Sequence, residues 1–414
     1  MTNPPPLAAA PPPLTQSPAL TSSSPRSTLA TLLSLYLGLF LAEATASLLN
    51  NVLVAMFNFH VFSIVGGPLA MLLVVTSFAV YVLMAFLPAI PKRMFLPLVL
   101  FIPLAALVAM PLTIYFYAGL RLIDCGVSLV QVGVGLAAVY WAQGGWRWRW
   151  PLLAENRLGA RRFSWRHLGG FVFVNVFVLL PGAAIYLFVC ASLAVDHFSD
   201  GFVALRTHGL TVQARKYVRD DGKSVQLFPM AHVADRTFYK ALESSFTSNS
   251  IALMEGVTDE QGLLTNHISY QRMAESLGVA EQQKEFKPSQ GELVAADVDV
   301  SAFSPNTLGF LNLVMLVHAK GLQPDILMRL ITFTPSPGFE RELLNDLLHK
   351  RNQHVVEQLD ARLAESDQFV VPWGAAHMPG IAQKIEALGF RLNETKDFTV
   401  LHFRPGKSSK PSSN

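Results

Sequence analysis

Two short segments place a histidine just after an apolar run that has the length of a buried strand. They read VQLFPMAHVAD around His232 and VVPWGAAHMPG around His377. A turn-forming residue, Pro229 or Gly374, stands three positions before each histidine, and small residues let the backbone turn tightly beside the imidazole. Ligands collect in α/β sheets where strands end and helices begin. Both histidines are therefore candidates for one site.

A carboxylate ends a third segment of this kind, ALMEG, in which the acid is Glu255. Two imidazoles and one carboxylate suit a divalent metal ion that keeps positions open for water and substrate. We therefore expect a metal site formed by His232, Glu255 and His377. Core or surface histidines satisfied by hydrogen bonds are the alternative, because the Gly-to-His spacing alone also occurs by chance.

Metal-assisted hydrolysis of an amide is the chemistry that such a site would support. The ion would lower the pKa of a bound water, and a carboxylate would transfer the proton to the leaving amine. Glu255 is the candidate ligand or base. If it is a ligand, Asp297 and Asp299 are the candidate bases, since residues two apart share a strand face. A solvated strand end or a helix cap is the other interpretation of this acidic pair.

The elements that carry these residues follow a first half that is suited to a membrane. Of 414 residues, 51% are hydrophobic and only 15% are charged, which is unusual for a soluble domain. A helix needs roughly 20 apolar residues to cross a bilayer. Five spans are predicted, at about 27–57, 61–90, 94–120, 123–142 and 169–195. Glu43 interrupts the first, where it would pair inside the bundle, mark a polar pathway or indicate poor insertion.

Basic residues predict the orientation of the spans. The loop 143–168 carries six arginines and one glutamate, so we place it and the N-terminus in the cytoplasm. The domain 196–404 then lies outside, in the periplasm or at the cell exterior. The pattern WRWRWP, at residues 146–151 of the loop, indicates anchoring to the lipid bilayer rather than binding to nucleic acid. The tails 1–26 and 405–414 are rich in Pro, Ala, Ser or Lys and are expected to be disordered.

Alternating strands and helices predict an α/β or α+β domain with a mixed sheet in the second half. A hairpin turns at residues 220–222, and a terminal strand covers 398–403. Further strands are expected at 250–257, around 292–297 and at 368–373. Helices are expected at 234–245, over most of 262–285, and at 337–366 and 379–388.

Residues 205–404 resemble the Tiki/TraB/GumN superfamily, whose mark is two Gly-x-x-His motifs with a glutamate between them. The resemblance implies a membrane-tethered metalloprotease that faces the exterior and uses a divalent ion such as manganese or cobalt. It implies that His232 and His377 are metal-site residues and that Glu255 is a ligand or catalytic carboxylate. The matching motif backbone is Pro229, Gly374, Ala375 and Ala376. Pro229 departs from the family, because proline has no backbone amide and cannot adopt a positive φ.

Three functions follow from these observations. The first is a membrane-anchored, metal-dependent hydrolase, in particular a peptidase, acting on an exported or periplasmic peptide or protein. The second is a non-catalytic binding or sensing domain on the same scaffold, which would tolerate Pro229. The third is a membrane accessory or transport protein, although its spans contain few ionisable residues that could form an ion path.

Overall fold

The computed structural model describes residues 24–57, 59, 63–116, 119–160, 163–265, 270–321, 323–333, 335–336 and 338–403. The chain divides into two compact units, Met1–Ile185 and Tyr186–Asn414. Nearly all of the two predicted tails, 1–26 and 405–414, lies outside the described residues. The two units are taken in turn below.

Apolar helices form the first unit and continue into the start of the second. They are α1 (Pro25–Phe57), α2 (Ser63–Phe86), α3 (Lys92–Val99), α4 (Phe101–Tyr115), α5 (Leu120–Gln143), α6 (Trp165–Val174) and α7 (Leu180–Phe198). A π-helical turn, Asn175–Leu179, joins α6 to α7. Among the described residues, α1, most of α2, α5 and the α6–α7 helix are long and apolar enough to cross a membrane.

The third predicted span, 94–120, is a bent pair of helices instead of one helix. The pair α3 and α4 is bent by 49° and would form a fifth span if it crosses as one unit. The bend lies at Leu100, three residues before Pro103. Proline has no N–H to donate to the carbonyl of Val99, and its ring crowds that carbonyl.

Glu43 lies inside the helical unit, where α1 packs against α5. Its side chain is buried, and Ser47 Oγ donates a hydrogen bond of 2.8 Å to Glu43 Oε1. Gln131 Nε2 donates to the other carboxylate oxygen. Of the three possibilities that the sequence left open for Glu43, these hydrogen bonds match pairing inside the bundle.

A mixed sheet is the centre of the second unit. The described residues of this unit form the strands β1 (Val203–Arg206), β2 (Gly209–Val218), β3 (Ser224–Met230), β4 (Val233–Ala234), β5 (Ser250–Met254), β6 (Ala280–Glu281), β7 (Glu292–Ala295), β8 (Gln368–Gly374) and β9 (Arg391–His402), of which all but β4 and β6 belong to this sheet. The order β1-β2-β3-β8-β5-β7 forms the main sheet, with β9 also paired to β2, and β4 pairs with β6 separately. The strands β3, β8, β5 and β7 run parallel, whereas β1, β2 and β9 add antiparallel pairs.

The predicted α/β class with a mixed sheet is therefore confirmed, including the hairpin of β2 and β3. Gly222 has φ 88° in the turn of that hairpin, a value that favours glycine. The terminal strand is longer than the predicted 398–403, because β9 begins at Arg391 and pairs with nearly all of β2.

Helices cover both faces of the sheet. They are α8 (Arg236–Glu243), α9 (Gln271–Leu277), α10 (Gln282–Glu285), α11 (Pro305–Lys320), α12 (Pro324–Thr332), α13 (Phe339–Leu344), α14 (Arg351–Ala361) and α15 (Met378–Ala387). Apolar residues of α14 and α15 pack with one face of β3, β5 and β8 in a continuous core. Those of α8 pack with the other face.

Three parts of the helical layer differ from the sequence prediction. Within the described part of 262–285, which was expected to be mostly helical, the helices are the short α9 and α10, and β6 lies between them. The helices α11 and α12 lie in a region for which no element was expected. The helix predicted at 337–366 begins at Phe339 and contains a π-helical stretch, Asn345–Lys350, between α13 and α14. That stretch ends one residue before Arg351.

Candidate functional site

The predicted chemical residues lie at one edge of the sheet. Each follows one of the four parallel strands: His232 follows β3, His377 follows β8, Glu255 follows β5 and Asp297 follows β7. Parallel strands end at the same edge, where α/β folds bind their ligands. The two histidine-bearing strand ends are direct neighbours, because β3 and β8 pair up to Met230 and Gly374.

An arginine from α14 connects three of these residues. Arg351 Nη2 lies 2.8 Å from Glu255 Oε1, and Nη1 lies 3.1 Å from His377 Nε2. The guanidinium also forms a bidentate pair with Asp297, with Nε to Oδ1 at 2.9 Å and Nη2 to Oδ2 at 2.6 Å. A longer bond of 3.5 Å to the carbonyl of Leu347 engages the fifth N–H. All five guanidinium donors are therefore engaged.

Asp297 is the buried partner of this arginine. Its side chain is fully enclosed, and its oxygens also accept the backbone N–H groups of Gly256 at 3.0 Å and Val298 at 2.9 Å. Burial alone would lower the pKa of Arg351, but the hydrogen bond and charge of Asp297 and the charge of Glu255 raise it overall. The arginine therefore stays charged at every physiological pH.

Glu255 is the most accessible member of the cluster, with 18% of its side chain exposed. Its Oε1 accepts from Arg351, and its Oε2 accepts the N–H of Gly374 at 2.5 Å. A carboxylate has about four lone-pair positions. Glu255 can thus accept further hydrogen bonds, whereas the four hydrogen bonds that Asp297 accepts fill all of its lone-pair positions.

His377 is neutral and held in one orientation. Asn352 accepts from His377 Nδ1 at 2.6 Å through its Oδ1, while its Nδ2 donates to the His377 carbonyl at 3.4 Å. With the proton on Nδ1, Nε2 is left to accept from Arg351. The pKa of His377 is lowered to about 4, first by burial and then by the Arg351 charge, which the carboxylates of Glu255 and Asp297 partly oppose.

The strand end of β8 is shaped to fit this cluster. A Cβ built on Gly374 would lie 3.4 Å from Glu255 Oε2, an ordinary van der Waals contact, so the link between this strand end and the carboxylate is the N–H of Gly374. Trp373 is fully buried, and its ring meets that of His377 edge to face at a centroid distance of 5.1 Å. Its indole N–H donates to the carbonyl of Leu253 at 2.8 Å, which fixes the ring.

His232 contacts a tyrosine, and within the described residues it forms no hydrogen bond or ion pair with Glu255, Arg351 or His377. Its exposed imidazole stacks on the ring of Tyr270 at a centroid distance of 4.5 Å and an angle of 11°. The pKa of Tyr270 is raised, first by burial and then by the negative charge of Glu255. Tyr270 therefore lies within electrostatic range of Glu255 and keeps its proton at neutral pH.

Asp299 does not share the role of Asp297. The expectation that both acids lie on one strand face is wrong, because β7 ends at Ala295 and the chain turns before both. Asp299 accepts from Ser301 N at 2.9 Å as the N-cap of a 3₁₀ turn and from Thr258 Oγ1 at 2.9 Å. These bonds hold its pKa well below its usual range. The helix-cap interpretation of Asp299 is the one that its contacts match.

The arrangement does not fit the divalent metal ion that the resemblance implies. The atoms that would bind it, Glu255 Oε1 and His377 Nε2, both accept hydrogen bonds from Arg351, whose positive charge stands beside them. Within the described part of the chain, no group of three His, Cys, Asp or Glu residues is arranged to hold a metal ion. His232, the third expected ligand, instead stacks on Tyr270.

Three residues of the cluster escaped the sequence analysis. Arg351, Asn352 and Tyr270 lie on segments that the strand-end motifs do not include. A signal was present for Asn352, a polar residue in the buried stripe that it forms with Val355 and Leu359 of α14. No comparable signal marks Arg351, since most arginines in a polar helix face are solvated.

Comparison with known proteins adds no relative to this description. No protein-family model, no curated protein and no solved structure matches the chain. The resemblance to the Tiki/TraB/GumN superfamily therefore rests on its motif residues alone.

Proposed function

We propose that the second unit is a hydrolase, tethered to the membrane by the apolar helices, in which Glu255 is the base that activates water. The observation that carries the proposal is the partly accessible Glu255 carboxylate, fixed beside a neutral imidazole and a guanidinium where four parallel strands end. Functional residues of α/β folds gather at this edge of the sheet.

The roles of the two acids follow from their hydrogen bonds. Glu255 has free acceptor capacity and an exposed fraction through which water can reach it. Asp297 is enclosed and saturated, so it acts by positioning Arg351. A general base must lie within hydrogen-bond reach of the proton that it removes. Glu255 meets this requirement better than Asp297.

His377 and Arg351 support the base in this proposal. The guanidinium holds Glu255 Oε1 in place. Because the neutral His377 carries its proton on Nδ1, its Nε2 has no N–H that could compete with water for the Glu255 carboxylate. Glu255 Oε1 lies 3.6 Å from His377 Nε2. The cluster carries two carboxylates against one guanidinium, and we assign the excess negative charge to Glu255. Glu255 takes the proton from the attacking water and gives it to the leaving amine as the C–N bond breaks.

Stabilisation of the reacting carbonyl is assigned to backbone N–H groups. The turn Ala375–His377 directly precedes α15, and the first N–H groups of a helical segment have no acceptor within it. Such groups stabilise an oxyanion when they point at the reaction centre. In this proposal the N–H groups of Ala375 and Ala376 are the donors to the oxyanion.

The substrate class follows from the resemblance and the orientation of the spans. The resemblance to the Tiki/TraB/GumN motifs suggests amide hydrolysis, and the arginine distribution favours a location of the second unit outside the cytoplasm. We therefore propose an exported peptide or protein as the substrate. The proposed reaction contains no step through a metal ion, because the would-be ligand atoms are bonded to Arg351.

The test uses the full chain in detergent with a fluorescently labelled denatured protein as the general substrate. Glu255→Gln keeps the shape of the side chain and removes the base, so turnover should fall by about 10²–10⁴-fold. Glu260→Gln, which changes an exposed acid of the same unit, is the matched control and should retain activity. Chelator should leave the wild-type rate unchanged.

Two outcomes would overturn this assignment. One is equal turnover by the wild type and Glu255→Gln, with both proteins folded according to their thermal unfolding. The other is turnover that is lost with chelator and restored by manganese or cobalt, which would favour the metal-dependent hydrolase expected from the sequence.

A non-catalytic binding or sensing domain is the second candidate. The observation that favours it is the closed network around Arg351, in which all five donors and all four bonds to Asp297 are already satisfied. A purely structural cluster would be satisfied in the same way. The absence of turnover toward any peptide or ester substrate, in a folded wild-type protein, would support this candidate.

A further inference from the structure

A groove in the helical unit combines a basic end with apolar walls. A cavity of about 530 Å³ lies between α3 and the helix formed by α6 and the following π-helical turn. On α3 its lining residues are Lys92 and Leu96, which are spaced by four and so lie on one side of the helix, and Leu100 follows at the bend after α3. The charged residue is at the helix start and the apolar ones follow.

The facing helix repeats this order. Arg166, Gly170 and Val174 line the groove at the same spacing, and Leu179 ends it. From Arg166 to Leu179 a helix extends roughly 20 Å. That length exceeds half of the hydrocarbon core of a bilayer, roughly 15 Å. The groove can therefore hold an extended chain within one leaflet.

The two cations at the basic end are available to a ligand. Lys92 Nζ donates to His167 Nδ1 at 2.7 Å, and His167 Nε2 donates in turn to the carbonyl of Met84 at 2.7 Å. This leaves two of the three ammonium N–H groups. Among the described residues, no carboxylate forms an ion pair with Lys92 or Arg166. Residues 1–185 contain ten Lys and Arg but three Asp and Glu, so acids are scarce here.

We expect the basic end of the groove to lie at the level of the lipid headgroups. It coincides with the first turns of α3 and α6, and Trp165, the first residue of α6, is 77% exposed. Tryptophan concentrates at the interface between membrane and water. Basic pockets between membrane helices bind anionic headgroups at this level.

We propose that this groove binds one anionic phospholipid. Its phosphate lies against Lys92 and Arg166, and one acyl chain runs along Leu96, Val174 and Leu179. Gly170 provides the space for the chain, because a Cβ built there meets no atom within 4 Å. A zwitterionic lipid offers the same chain but no net negative charge to the two cations.

The test measures lipids retained by the full chain after reconstitution into equimolar phosphatidylglycerol and phosphatidylcholine, followed by detergent extraction and native mass spectrometry. The wild type should retain phosphatidylglycerol in at least tenfold excess. Arg166→Gln should reduce this excess severalfold, whereas Arg149→Gln, in the same basic loop but outside the groove, should not. Lys92→Gln should act like Arg166→Gln if its thermal unfolding is unchanged.

A second pair of variants tests the acyl-chain groove without changing charge. Gly170→Leu fills the groove, whereas Gly169→Leu adds the same side chain at a neighbouring open position outside it. Only Gly170→Leu should abolish lipid retention. Equal retention of the two lipids by the wild type, or equal behaviour of these two variants, would overturn the proposal. Displacement of the lipid by millimolar inorganic phosphate would identify a free-phosphate site and would also overturn it.

Discussion

Replacing Arg351 with methionine tests the central interaction of the candidate site. Methionine has a similar length and a high helix propensity, so α14 should keep its backbone while losing the guanidinium. The change leaves Asp297 fully enclosed with two of its four hydrogen bonds, and it leaves His377 Nε2 without its donor. The cost therefore arises chiefly from a buried carboxylate without its counter-charge.

Removing one partner of a buried ion pair costs about 3–5 kcal/mol. In a unit of this size, each kcal/mol shifts the midpoint of thermal unfolding by ~2–4 °C. We therefore expect Arg351→Met to lower the midpoint of the second unit by roughly 6–20 °C. The double variant Arg351→Met/Asp297→Asn should recover part of this loss, since an amide needs no counter-charge but its NH2 group cannot accept one of the two backbone N–H groups that bind Asp297.

Thermal unfolding of the full chain in detergent, followed by tryptophan fluorescence, measures these shifts. The matched control is Arg329→Met on α12, whose side chain is exposed and whose change should stay within about 0.5 kcal/mol. Equal midpoints for Arg351→Met and Arg329→Met would refute the argument. So would a double variant that is less stable than Arg351→Met, because the penalty could not then come from the unpaired Asp297 charge.

Three further predictions concern pH, packing and orientation. A histidine has a pKa near 6.5 in the unfolded chain, whereas the pKa of folded His377 is about 4. The free energy of unfolding therefore has its full contribution from this site above pH 6.5 and loses about 3 kcal/mol as the pH falls toward 4. His377→Gln should remove that part of the slope in pH-dependent unfolding, and an unchanged slope would count against a neutral imidazole. Gly380→Ala places a Cβ 2.4 Å from Asn352 Nδ2 and should cost about 1–3 kcal/mol of stability. In the control Gly309→Ala the new Cβ meets no atom within 4 Å, so the change should stabilise α11 by up to ~1 kcal/mol. Equal shifts of the unfolding midpoint would contradict the close packing of Gly380 against Asn352. A topology reporter fused after Phe403 should be active outside the cytoplasm, and cytoplasmic activity would reverse the orientation.

The strand ends of the site could be predicted because buried strands are distinctive in this chain. The run before Glu255 and the run before Gly374 are short, apolar and followed at once by a turn residue. Such runs indicate strands that are covered on both faces, and parallel strands of this kind end at one edge. The convergence of Glu255, Asp297 and His377 follows from that edge. The residue types therefore predicted which side chains lie near one another, but not which of them form hydrogen bonds.

The centre of the cluster could not be predicted for a physical reason. Arg351 approaches Glu255 across 96 residues of sequence, and its burial depends on how α14 packs against the sheet. A local pattern cannot distinguish this arginine from a solvated one, because the long aliphatic stem suits either position. The sequence therefore suggested a metal ion as the positive charge between the carboxylates and the imidazole. A guanidinium from the same chain occupies that position.

The π-helical stretch Asn345–Lys350 sets the angular position of everything after it on the same helix. A π turn accommodates one residue more than an α turn, so deleting a single residue there would let the segment close as a regular α-helix. One residue corresponds to about 100° of rotation in an α-helix. Phe339 is buried before the stretch and Arg351 follows it, so the shortened helix could keep the burial of Phe339 or the hold of Arg351 on the three strand ends, but it could not keep both. Relatives of this protein that have lost one residue at that point should therefore have lost the arginine cluster as well.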